Sequence, residues 1–96
     1  MIPKAMDSLD LVEAVMLIEE VLGTEIPDID GKNFGSPREM VDWLELHLSN
    51  QRPNRQSAAL LKKLAKAHNH PELAEGLEGT WRREQIAAIV REIFRQ

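Results

Sequence analysis

Apolar residues return at helical spacing along almost the whole chain, and no stretch alternates apolar and polar residues with the two-residue period of a strand. That pattern points to an all-α fold and sets where its helices begin and end. The first is expected from about Ser8 to Leu22, with Gly23 as its stop. "TEIPDIDGKNFG" reads as a loop punctuated by Pro27 and Gly31, with one helical turn at Asp30 to Phe34. "SPREMVDWLELHLSN" opens with a strong start signal: Ser36 as N-cap, Pro37 at the first helical position and Glu39 completing a capping box. "QRPNRQ", residues 51 to 56, reads as a connector, followed by a helix over Ser57 to His68. "NHPELAEGLEG" offers at most a short helical segment closed by Gly79. Thr80 then caps a last helix, "WRREQIAAIVREIFRQ", in which Ile86, Ile89, Val90 and Ile93 form one apolar stripe.

On a helical wheel at about 100° per residue, Leu11, Val15, Ile18 and Leu22 share a narrow arc flanked by Ala14 and Val21, which is the core face of the first helix. Nearly opposite lie Leu9, Val12 and Met16, among which stand Glu13, Glu19 and Glu20. This second face, apolar in the middle and acidic at its edges, fits either burial under other helices or docking of a basic partner. Periodicity does not choose between them.

Composition narrows the chemistry. The 96 residues include no cysteine, so any thiol chemistry needs an external cofactor, and they suit one small domain. Residues 1–50 hold 3 Lys/Arg against 11 Asp/Glu and residues 51–96 hold 9 against 5, so a net charge of −4 divides into an acidic first half and a basic second half. The acidic half favours basic partners over nucleic acid; the basic half is expected to solvate its helices or meet the acids of the first. No apolar run reaches the length of a membrane span, and Asp7 interrupts the N-terminal stretch where a signal peptide is apolar, so a soluble cytoplasmic protein is expected, with neither membrane nor nucleic acid as partner.

The first helix and its flanks resemble acyl carrier proteins. That family's motif, Asp-Ser-Leu at the start of an acidic recognition helix, stands here as Asp7-Ser8-Leu9. The resemblance continues without a gap through Asp10, Val12, Glu13, Val15, Met16, Glu19 and Glu20, then Thr24-Glu25-Ile26-Pro27-Asp28, and on to Val41, Asp42, Trp43 and Leu44, covering roughly residues 5 to 48. It implies that Ser8 carries 4′-phosphopantetheine through a phosphodiester, with Asp7 and Leu9 flanking the attachment point. The thiol of that arm would hold an acyl group as a thioester, and the arm would be installed by a phosphopantetheinyl transferase. It also implies that acyl-loading and acyl-accepting enzymes dock on Asp10, Val12, Glu13, Met16, Glu19 and Glu20, and that the chain itself is not an enzyme. Ser8 as N-cap and Ser8 as attachment point are compatible readings.

The chain departs from the family in two places. Ala5 stands where the family usually has glycine, and only six residues precede Asp7, where the family has a helix and a long loop. "EQIAAIVREIF", residues 84 to 94, is similar to that first helix through Glu84, Ile86, Ile89, Val90, Glu92 and Phe94. The resemblance therefore suggests a circular permutation. The expected fold is an all-α, acyl-carrier-like four-helix bundle with an additional helix in the connection. In it, residues 5–48 form the core, 49–80 the connector, and 81–96 replace the family's first helix, packing in a monomer or by helix exchange between two chains. The alternative function is an unmodified helical interaction module. A nucleic-acid-binding or regulatory role for Lys62, Lys63, Lys66, Arg82, Arg83, Arg91 and Arg95 lacks exposed aromatics and a binding motif. His47, His68 and His70 lack metal-ligand spacing, and Trp43 and Trp81 read as core or rim residues.

Overall fold

A computed structural model describes the backbone of residues 8–26 and 37–95, and the side chains of residues 13–26 and 37–94. Among the described residues there are four α-helices, α1 (Ser8–Leu22), α2 (Pro37–His47), α3 (Arg55–His68) and α4 (Arg83–Arg95), with a 3-10 turn, Pro71–Ala74, between the last two. The described residues contain no strand, so the chain is all-α as its periodicity requires. The turn expected at Asp30 to Phe34, the cap expected at Ser36, and the loop punctuation at Pro27 and Gly31 lie outside the described residues.

The first helix ends where its glycine allows. Gly23 adopts φ 72°, and the amides of Gly23 and Thr24 both donate to the Glu19 carbonyl, closing α1 with a left-handed residue. The Glu19 carboxylate then accepts the amide of Ile26 at 2.6 Å, so one residue fixes both the end of the helix and the path of the chain beyond it. Ile26 is thereby held in the core. Pro37 is the first residue of α2, as expected, and Glu39 lies in its first turn.

Two helix starts differ from expectation. The third helix begins at Arg55, two residues before the expected Ser57, because the Asn54 side chain accepts the Ser57 amide at 2.8 Å and serves as N-cap. Ser57 is instead a fully buried residue of the first turn, its hydroxyl donating back to the Asn54 carbonyl. The last helix begins at Arg83, so Thr80 does not cap it. Trp81 is drawn into the core with its amide bonded to the Gln51 carbonyl at 2.9 Å, and the fully buried Gln85 accepts the Arg82 amide at 3.0 Å, as the third residue of a capping box does. Nor does Gly79 close the short helical segment, which ends at Ala74, followed by a left-handed Gly76.

The core lies between α1, α2 and α4, with α3 packed along α1 and α4. Ala14, Ile18, Val21 and Leu22 face inward from α1, with Val15 packed at their edge. The expected stripe of α4 meets them: Ile86, Ile89, Val90 and Ile93 are all buried, at no more than 6% exposure. Each such aliphatic side chain contributes roughly 1.5–3 kcal/mol by leaving water. Met40, Val41, Leu44 and Leu48 close the core from α2, and Leu61, Leu64 and Ala65 from α3. Trp81 is core and the half-buried Trp43 is rim.

Candidate functional site

The first helix begins at Ser8. Its opening turn is where a helix leaves backbone amides without intrahelical partners and presents the positive end of its dipole, an environment that favours an anion such as a phosphodiester. Asp7 lies outside the described residues, and Ser8, Leu9, Asp10 and Val12 are placed by backbone alone, on the first turns of α1.

Farther along the helix, the outward face divides. Met16 is 60% exposed, unusual for so large an apolar side chain, and Glu13 and Glu20 are exposed three residues before it and four after it. These spacings put the three on one stripe. Glu20 stands about 18 Å from Ser8 along the axis at the rise of an α-helix. Glu19 does not join them. It is half-buried and its carboxylate is engaged by the Ile26 amide, so the acidic edge expected to hold three glutamates presents two to solvent. The wheel identified Glu19 as lateral to the apolar face; the loop that turns back beneath it was not legible in periodicity.

The acidic and basic halves meet at Arg83. Arg83, at the start of α4, donates to Asp42 at 2.7 Å and to Glu45 at 2.8 Å, joining α4 to α2. The hydrogen bonds to Glu45 and Asp42 raise the guanidinium pKa further above its already high value, so this cation keeps its proton throughout the accessible pH range. Elsewhere the second half pairs largely with itself. Arg82 donates to the Glu75 carbonyl at 2.8 Å and Gln85 to the Leu73 carbonyl at 3.4 Å, fastening the 3-10 turn to the start of α4. The histidines are each beside a neighbour: His47 stacks on Trp43 with ring centroids 3.6 Å apart, His68 lies 4.0 Å from Glu92, and His70 2.9 Å from Glu72. Among the described residues no three His, Asp or Glu side chains converge as a metal site.

Among the described residues, grooves lie on two sides of α4. One, of about 620 Å³, runs between α2 and α4 over Val41, Ala87, Val90 and Phe94, with Arg38, Arg83 and Arg91 among its walls. The other, of about 480 Å³, lies between α1, α3 and α4 over Leu17, Val21, Leu60 and Leu64, with Lys63, His68 and Glu92 at its rim. Sequence reasoning did not find either, because each is made by residues distant in sequence. The signal that was present, arginines spaced along the same side of α4 as Ala87 and Phe94, reads equally as a solvated edge.

Part of the chain is similar to acyl carrier proteins. A stretch of 41 residues, 43% of this chain, is 46% identical to the acyl carrier protein of Rubrobacter xylanophilus, of which it covers 51%. It is 44% identical to the acyl carrier proteins of two strains of Clostridium perfringens, covering 54% of each. The chain thus spans about half the length of the curated relatives it matches. These relatives are named as carriers, not as enzymes. No family profile matches the chain, and no solved structure does. No described helix is long and apolar enough to cross a membrane.

Proposed function

We propose that this chain is a cytoplasmic acyl carrier, holding acyl groups as thioesters on 4′-phosphopantetheine attached to Ser8 and presenting them to partner enzymes. The observation that carries the reading is the position of Ser8. It opens a helix whose outward face is both acidic and apolar, in a chain partly similar to acyl carrier proteins. The first turn of α1 suits a phosphodiester, and the arm supplies the thiol that a cysteine-free chain lacks. Asp7 and Leu9 complete the motif that a phosphopantetheinyl transferase reads. Asp10, Val12, Glu13, Met16 and Glu20 form the face on which acyl-loading and acyl-accepting enzymes dock: apolar contacts at Met16 for adhesion, carboxylates for steering. Glu19 supports that face by fixing the end of the helix.

The same reading assigns α4 the place of the family's first helix. What supports it is packing: α4 covers the inward face of α1 within one chain, Ile18 sharing a core with Ile86, Ile89 and Val90. In this reading residues 5–48 are the carrier core, 49–80 the connector with its additional helix, and 81–96 the relocated helix. A rejoined gene in which residues 81–96 precede residue 5 through a flexible linker, ending after residue 50, should still accept the arm; a rejoined chain that folds but is never modified would remove this assignment.

The primary test is direct. Incubation with coenzyme A and a broad-specificity transferase should add one phosphopantetheine mass to the intact protein, and Ser8→Ala should abolish the gain. No serine-dependent gain with several transferases overturns the carrier reading.

A further inference from the structure

The groove between α2 and α4 differs from its neighbour in charge. Among the described residues that line it three are arginines, Arg38, Arg83 and Arg91, and none is a carboxylate. Arg83 is outweighed by Asp42 and Glu45 just outside, two carboxylates to one guanidinium, so the positive charge of the groove rests on Arg38 and Arg91. Arg38 and Arg91 are exposed and form no ion pair with any described residue. In a protein of net charge −4 this is a locally positive trough with an apolar floor. The second groove is also apolar, yet one cation and one carboxylate, Lys63 and Glu92, are both among the described residues that line it, so its charge favours neither sign.

An apolar floor alone selects nothing by charge, and exposed arginines alone bind anions weakly and without shape. Together they define an amphipathic ligand. The volume, about 620 Å³, falls in the range of small-molecule sites, roughly 300–1,000 Å³. The guanidinium fork matches the paired oxygens of a carboxylate or a phosphate, which a lysine does not.

We propose that this groove binds a linear aliphatic anion, its chain lying on Val41, Ala87, Val90 and Phe94 and its carboxylate or phosphate head held by Arg38 and Arg91. Among the described residues the site uses α2 and α4 alone. The proposal calls on neither Ser8 nor anything attached there, so it stands or falls separately from the carrier reading and is tested on the unmodified protein.

Decanoate and decyl phosphate serve as probes, each below its micelle-forming concentration, with decyltrimethylammonium as a cation of the same chain length. Titration into isotopically labelled protein is followed by NMR. Saturable shifts are expected at the methyls of Val41, Ala87 and Val90 and the ring of Phe94 with one or both anions, the tighter binder identifying the head group. The cation should leave these signals unmoved. Arg38→Gln with Arg91→Gln should weaken anion binding at least tenfold while the melting temperature stays at the wild-type value, since neither side chain forms an ion pair with a described residue. Arg38→Lys with Arg91→Lys, keeping the charge but not the fork, should fall between. Binding to the wild-type protein should also weaken with added salt, a reading that needs no substitution. Equal binding of cation and anions, shifts centred on Leu17, Leu60 and Leu64 instead, or full affinity in the double glutamine variant would each overturn the proposal.

Discussion

Asn54 touches two helices at once, and removing its side chain should destabilise the domain by about 2 kcal/mol. Its Oδ1 accepts the Ser57 amide at 2.8 Å, capping α3, while its Nδ2 donates to the Val21 carbonyl at 3.1 Å, in the last turn of α1. Loss of an N-cap costs about 1 kcal/mol and loss of a hydrogen bond to a backbone carbonyl about another 1 kcal/mol. Asn54 is exposed, so water replaces part of both bonds and the sum is an upper estimate. Asn54→Asp separates the two contributions, because a carboxylate still caps α3 but cannot donate to Val21. Its cost should be about half that of Asn54→Ala. Urea denaturation followed by circular dichroism measures both, with the midpoint shifting and the slope unchanged. Gly23 supplies a further check. A Cβ there would lie 3.0 Å from the Asn54 amide nitrogen, on a backbone at φ 72°. Gly23→Ala should therefore cost less in the Asn54→Ala background than alone, by the share of its penalty that is steric. Asn54→Ala within about 0.5 kcal/mol of wild type, or an aspartate as harmful as an alanine, would refute the two-helix account.

Two further perturbations test the fold around the site. Ile89→Ala empties a fully buried position on α4 and should cost about 2–5 kcal/mol, read from the loss of thermal stability; a loss under about 1 kcal/mol would mean the α4 stripe is not core. Arg83→Gln removes the link from α4 to Asp42 and Glu45. It should lower the melting temperature at low ionic strength only, and a deficit that persists undiminished in 1 M salt, where screening acts within about 3 Å, would assign the residue a packing role instead.

The extent to which these features are legible in the sequence varies with how local their causes are. The bounds of α1 are readable because both signals lie inside it or beside it: the apolar arc through Ile18 and Leu22, and a glycine at Gly23 that the chain uses in a left-handed conformation. The start of α3 is not, since Pro53 gives "QRPNRQ" the look of a linker while Asn54 acts as a cap. The start of α4 misleads for another reason. Thr80 is a good capping residue by type, but burial of Trp81 and the reach of Gln85 back to Arg82 move the helix start past it. At the site, spacing placed Glu13, Met16 and Glu20 together correctly as an outward stripe. It gave Glu19 the same standing, because a wheel records direction from the helix axis and not which backbone returns to meet the side chain. The anion groove was invisible for a like reason, as its two arginines belong to helices far apart in sequence.

The hydrogen bond between the Trp81 amide and the Gln51 carbonyl has a wider meaning. It brings the chain back, after α3 and the 3-10 turn, to the point it left at the end of α2. The intervening segment is therefore a closed excursion, entering and leaving through one doorway. Leu61, Leu64 and Ala65 tie that excursion into the core and Asn54 ties its start to α1, so what can change without moving the helices on either side is its exposed face. The solvent side of its basic, acid-free helix, at Lys62 and Lys66, is thus where this molecule can change its surface charge while the packing against α1 and α4 stays as it is.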